Sequence, residues 1–157
     1  MGRSASPWPS SSSSRRGSRC LHCGRRRRTG AKARELALIL VFYLEPIARR
    51  GYGLLFGKEV AEAVKESIRA DLPKVVAAVK RLLRFDPWAC GRFFGYADIV
   101  LYWTLALAKV SARGNAGIDL VTELGAGAWL KRMDERASVK SVRETEHKAR
   151  VEMGLAA

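Results

Sequence analysis

The run from Ile99 to Ala108, IVLYWTLALA, carries no charge on any face. A helix that is apolar all round belongs inside a protein rather than on its surface. The run is too short to cross a bilayer, which takes about 20 apolar residues, so the sequence predicts the central buried helix of an all-α domain. Its start is written in the residues before it. With Gly95 as the N-cap, Asp98 becomes the third helical residue, where a carboxylate can reach back to the open backbone N–H groups and meet the positive end of the helix dipole. Phe94 then precedes the cap and Ile99 is the fourth helical residue, a spacing that lets the two clasp the first turn as a hydrophobic staple.

Helical patterns surround this element. Leu36 to Leu44 is unbroken apolar between Glu35 and Glu45-Pro46, and its Ala, Leu and Glu flanks favour helix over strand. Pro46 is expected to kink or end that helix, with Arg49 and Arg50 near its negative terminus. Gly51-Tyr52-Gly53 reads as a loop. From Lys58 to Phe85, Val60, Val64, Ile68, Leu72, Val76, Val79 and Leu83 recur at helical spacing, with a kink or break expected at Pro73 and Asp71 able to cap the second half. Ser111 to Asn115 reads as a polar turn. A helix from Glu123 or Gly125 to Arg136 turns Trp129, Leu130 and Met133 inward. Ser138 is expected to cap a last helix, Val139 to Val151, that packs through Val139 and Val142.

The net charge of +14 suggests a nucleic-acid binder until it is located. Residues 1–34 hold ten of the 29 Lys and Arg and none of the 15 acids, leaving 19 bases against 15 acids in the remainder. The basicity is that of a Ser- and Arg-rich tail without apolar periodicity, residues 1–33, expected to be disordered. Within it, the block Arg25 to Arg28 suits phosphates or a nuclear address, and the acid-free composition suits a transit peptide. Gly2 with Ser6 has myristoylation spacing. Cys20-Leu21-His22-Cys23 has half of a zinc knuckle, with only Cys90 and His147 left elsewhere and no second pair. An inert tail, or one read from a wrong start or frame, is the plainest expectation. Three cysteines make no disulfide framework and the apolar core of a secretory signal is missing, so reduced thiols in the cytoplasm and no membrane span are expected.

Little in the body carries chemistry. No Gly-rich phosphate loop or paired-histidine metal motif occurs, and His147 falls on a polar terminal helix. Asp98 is the one carboxylate embedded in an apolar run, and its place at a helix start makes it a cap rather than a catalyst. Tyr43, Tyr52, Tyr102 and Trp103 are candidates to line an apolar pocket, although aromatics at helical spacing more often form core. Cys90 is a small apolar filler unless the neighbouring Arg92 lowers its pKa. No catalytic residue and no metal site is assigned.

The string Phe93-Phe94-Gly95-Tyr96-Ala97-Asp98-Ile99, followed by an apolar helix, resembles the start of the sixth helix in the C-terminal domain of glutathione transferases. Gly95 stands where that family usually has Ser or Thr. Ile118-Asp119-Leu120 resembles the family's linker to its seventh helix, and Arg136-Ala137-Ser138-Val139 resembles its Arg-Pro-Ser-Val turn, with Ala137 for the proline. The resemblance covers about residues 31–150. It implies a right-handed all-α bundle of about five helices over residues 34–151, followed by a flexible end at 152–157. It further implies the apolar-substrate half of an enzyme that joins glutathione, its co-substrate, to electrophiles. In that family glutathione is bound and activated by a thioredoxin-like domain that this chain does not contain, so the chain is expected to be inactive alone and to need such a domain, or a homodimer partner. No cofactor is expected in the chain itself. The rival expectation is a non-enzymatic helical adaptor whose basic arm contacts RNA. Helices made to face a missing domain should expose an apolar patch along Leu36 to Tyr52.

Overall fold

The computed structural model describes the backbone of residues 21–154 and the side chains of residues 30–154. Gly2, Ser6 and Cys20 lie outside the described residues, as do the side chains of His22, Cys23 and Arg25 to Arg28. The described residues form an all-α structure without a β-strand: α1 (Leu21–Ile39), a π turn (Leu40–Leu44), α2 (Glu45–Arg49), a 3-10 turn (Tyr52–Phe56), α3 (Glu62–Leu82), α4 (Tyr96–Ala116), α5 (Leu120–Leu124), α6 (Gly127–Asp134) and α7 (Ala137–Glu152). The body boundary expected at Arg34 falls inside α1.

Pro46 does not end the first helix. In α-helical register its ring would meet the carbonyl of Phe42, and it has no N–H to offer. The chain widens instead: Glu45 N–H reaches back five residues to Leu40 O, and α2 resumes with Pro46 in its first turn, where a missing donor costs little. The turn keeps Leu40 and Leu44 in the core and leaves Val41, Phe42 and Tyr43 facing out.

The long helix α3 runs unbroken through Pro73 and buries Ile68, Leu72, Val76 and Val79 along one stripe. The carbonyl that Pro73 leaves without a donor belongs to Arg69, an exposed residue that water can reach. Asp71 caps nothing, because it is engaged by Arg50 at 2.9 Å and Lys74 at 3.3 Å.

The spine of the bundle is α4, which packs against α1, α2, α3 and α5. Leu101, Tyr102, Leu105, Ala108 and Ala112 are buried along it. Burial is not complete around its circumference, as the charge-free run had suggested: Ile99 is 44% and Leu107 42% exposed. α7 does not close that side of the bundle, since Val139 alone of its residues is buried and Val142 is exposed.

The turn expected at Ser111 to Asn115 is helical, and its polar side chains point into the core. Ser111 Oγ donates to Ala48 O at 2.7 Å, and Asn115 Nδ2 donates to Gly51 O at 3.2 Å. These carbonyls lie at and just beyond the end of α2, where each also accepts a backbone N–H, Ala48 O from Gly51 at 3.0 Å and Gly51 O from Leu54 at 3.2 Å, and takes the side chain as a further donor. What reads as turn chemistry is therefore the clamp between α2 and α4, and the helix ends only at Gly117, whose φ of 69° suits glycine.

The single helix expected before Arg136 is two. Asp119 caps α5, accepting from the N–H groups of Val121 and Thr122, and Gly125, at φ 65°, closes it before α6 begins. α6 turns Trp129 and Met133 into the core. Ser138 lies within the first turn of α7 and not before it, and Arg136 precedes that helix without a side-chain cap.

A methyl group on Gly51 would lie 2.3 Å from Asn115 Nδ2 and 2.6 Å from Ser111 Oγ, whereas one on Gly53 would meet nothing nearer than 3.6 Å. Gly51→Ala is expected to destabilise the fold by about 1–3 kcal/mol through overpacking, seen as a lower urea midpoint, with Gly53→Ala close to wild type. Equal midpoints would contradict the clamp.

Candidate functional site

The start of α4 is a junction of three segments. Asp98 is 1% exposed, and both its oxygens are occupied. Oδ2 accepts from Gly95 N–H at 3.0 Å, which is the local cap. Oδ1 accepts from Ala89 N–H at 2.8 Å and from Trp129 Nε1 at 2.8 Å. Charge-assisted bonds of this kind contribute about 1.5–3 kcal/mol each, and a carboxylate so surrounded has no face left for acid–base work.

Phe94 has partners beyond its own helix start. Phe94 stacks edge-on against Trp88 at 5.1 Å, and the Arg136 guanidinium lies 3.6 Å from its ring centre. Ile99 is left on the surface. The aromatic and cationic partners offer Phe94 more than one exposed isoleucine would.

The four aromatic candidates do not converge. Tyr43 is exposed. Tyr52 is half-buried under the Arg49 guanidinium, its hydroxyl without a partner among the described residues. Tyr102 belongs to the core, 6.4 Å from Trp129 and 5.2 Å from Trp103, with its hydroxyl donating to Asp134 Oδ1 at 2.6 Å. Trp103 alone lines a cleft. Burial first, and then the bond to Asp134, push the Tyr102 phenol up to about 12.

Cys90 is half-buried, and its thiol is pushed above the ordinary range, first by burial and then by the charge of Asp98, with Lys32 opposing. It stays protonated and is a poor nucleophile. Among the described residues no group of His, Cys, Asp and Glu is placed to hold a metal ion.

Among the described residues, two clefts and an exposed apolar face are candidates for binding. A cleft of about 580 Å3 lies among Leu54, Val110, Arg113, Gly114 and Val121. A second, of about 410 Å3, lies between α4 and α7. The face is formed by Leu38, Val41, Phe42 and Tyr43, which are 47–65% exposed. It falls within the stretch from Leu36 to Tyr52 singled out from sequence, whose other apolar residues, Leu36, Leu40, Leu44, Ile47 and Ala48, enter the core.

The Trp129 bond is the feature that reading along the chain misses, although a signal for it exists. A buried indole needs an acceptor, and Asp98 is the one acid set in an apolar run.

No family model matches the chain. Over 107 residues it is 35% identical to a glutathione S-transferase of Pseudomonas putida F1, a match covering 67% of this chain and 49% of that protein. Over 104 residues it is 28% identical to the glutathione S-transferase GstA of Escherichia coli O157:H7, covering 66% of this chain and 49% of that protein. The chain thus spans about half the length of the curated relatives it matches. An all-helical structure is consistent with the C-terminal domain that the Phe93 to Ile99 string resembles.

Because folding raises the Tyr102 pKa from 10.0 to about 12, the folded state favours the protonated phenol, and this stabilisation is complete below pH 10. It is lost as pH rises from 10 toward 12. In an absorbance titration of the phenolate band Tyr102 is expected to ionise last. Stability should fall more steeply over that window in the wild type than in Tyr102→Phe. Simultaneous ionisation of all four tyrosines near the ordinary value would contradict the assignment.

Proposed function

We propose, on the premise that this chain is a relative of the glutathione S-transferases over two thirds of its length, that its helical body serves as the electrophile-side half of a glutathione transferase site. The reaction joins glutathione to an electrophile through its thiolate. The helical half supplies apolar contact and shape, and activation of the thiol falls to a thioredoxin-like domain docked against it, or to a homodimer partner. Alone, the described body is expected to be inactive.

The observation that carries this reading is the exposed face at Leu38, Val41, Phe42 and Tyr43. Three consecutive large side chains face out between buried Leu40 and Leu44, held there by the π turn rather than by a flexible loop. Large apolar side chains exposed on a helical element are what an interaction site presents. The protonated Cys90 thiol supports the division of labour, since it gives the body no activated sulfur of its own. We place the chain in the cytoplasm, where Cys90 remains a free thiol. Among the described residues no helix is long and apolar enough to cross a membrane.

The test is turnover of glutathione with an aryl chloride, by the chain alone and by the chain joined to a thioredoxin-like domain of a family member. The expected result is the uncatalysed rate for the chain alone and a glutathione-dependent increase for the joined protein, reduced by Phe42→Lys. Turnover by the chain alone would contradict the proposal, and so would a joined protein as inert as the chain.

A further inference from the structure

The first half of α1 differs in composition from the rest of the chain. It carries Arg25, Arg26, Arg27, Arg28, Lys32 and Arg34, and the first acid of the sequence is Glu35. These bases stand on one continuous helix, since α1 runs from Leu21 to Ile39. Lys32 and Arg34 are exposed and make no ion pair among the described residues. Among the described side chains of α1, Leu36 is the first to be buried. The basic segment therefore precedes the part of the helix that the core holds.

The helical backbone decides how the charges are disposed. Successive residues advance by about 100°, at 3.6 per turn, so positions 25 to 28 occupy every side of the helix. A flat anionic surface meets only one side of such a rod. A membrane-surface helix also needs an apolar face, and from residue 21 to residue 34 the one large apolar residue is Leu21. A groove walled by two rows of phosphates meets charges on both flanks. The major groove of B-DNA, about 12 Å wide, admits a helix of about 10–12 Å diameter. The major groove of an RNA duplex is too narrow and deep for one. Single strands are held by stacking on aromatic rings, and this segment has no Phe, Tyr or Trp.

We infer that residues 25–34 of α1 bind duplex DNA without base specificity, the helix lying in the major groove with its bases meeting phosphates of both strands. The inference does not depend on glutathione transfer.

Fluorescence anisotropy of the full chain with a labelled DNA duplex of about 20 base pairs tests this. A Kd of about 1–10 µM at about 0.15 M salt is expected, with log K falling against log salt at a slope of about −5. Replacing Arg25, Arg26, Arg27 and Arg28 together by Gln should weaken binding at least about 30-fold and flatten the slope by about 3. Replacing Arg3, Arg15, Arg16 and Arg19 by Gln removes the same charge from outside the helix and should weaken binding less than about threefold. Thr29→Pro keeps every charge but interrupts the helix between the arginines and the body, and should weaken binding about fivefold. Gly30→Ala, whose added methyl meets nothing within 4 Å, favours the helix and should tighten binding about twofold. A urea midpoint equal to wild type verifies for each variant that the body is folded. The proposal is overturned if the duplex is not bound, if the two sets of four substitutions weaken binding alike, or if Thr29→Pro binds as the wild type does. It is equally overturned if an RNA duplex or single strand of the same sequence, or phosphatidylserine vesicles at equal phosphate concentration, are bound as tightly as the DNA duplex.

Discussion

One carboxylate decides where three parts of this chain meet. Asp98 takes a proton donor from its own helix start at Gly95, one from the loop at Ala89 and one from α6 at Trp129, each at 2.8–3.0 Å. A carboxylate taken out of water incurs a penalty of several kcal/mol unless its lone pairs are met, so the bonds are worth most when all three are made together. The start of α4 is therefore secured jointly with the loop and α6. The far end of α4 is held by a second polar contact, where Ser111 and Asn115 meet the carbonyls of Ala48 and Gly51 at the end of α2. Between these fixed ends the helix is rigid enough to carry surface features in defined positions.

Those features have different physical characters. The α1 face owes its exposure to Pro46, which forces the wide turn that leaves Val41, Phe42 and Tyr43 exposed to solvent. It has the character of a surface made to be covered. The α4–α7 cleft exists because α7 packs loosely, through Val139, and so leaves the outer side of α4 open beside a row of bases.

How much of this was legible depends on how far apart the interacting residues lie. The all-α class, the apolar stripe of α3 and the reach of Asp98 to Gly95 are local relations, set by spacings of three and four residues. The resemblance at Phe93 to Ile99 led to the family that the relatives share. Relations across the chain were not legible in the same way. Ser111 and Asn115 look like turn residues because the same side chains that close turns also satisfy the carbonyls of a helix end, and only the packing of α2 on α4 shows which. Phe94 meets Trp88 and Arg136, the latter distant in sequence, and neither contact was legible from local spacing. The scattering of Tyr43, Tyr52, Tyr102 and Trp103 has the same cause: helical spacing gives a residue's face but not the neighbour opposite it.

Hydrogen exchange of the Trp129 indole and the Ala89 amide, compared with the amides in the middle of α4, tests the Asp98 junction most directly. If the junction holds the bundle together, both protons exchange only through global unfolding, as slowly as Leu101 and Leu105. Exchange of either proton much faster than those amides, under conditions where α4 stays protected, would show that the three segments are not tied through Asp98.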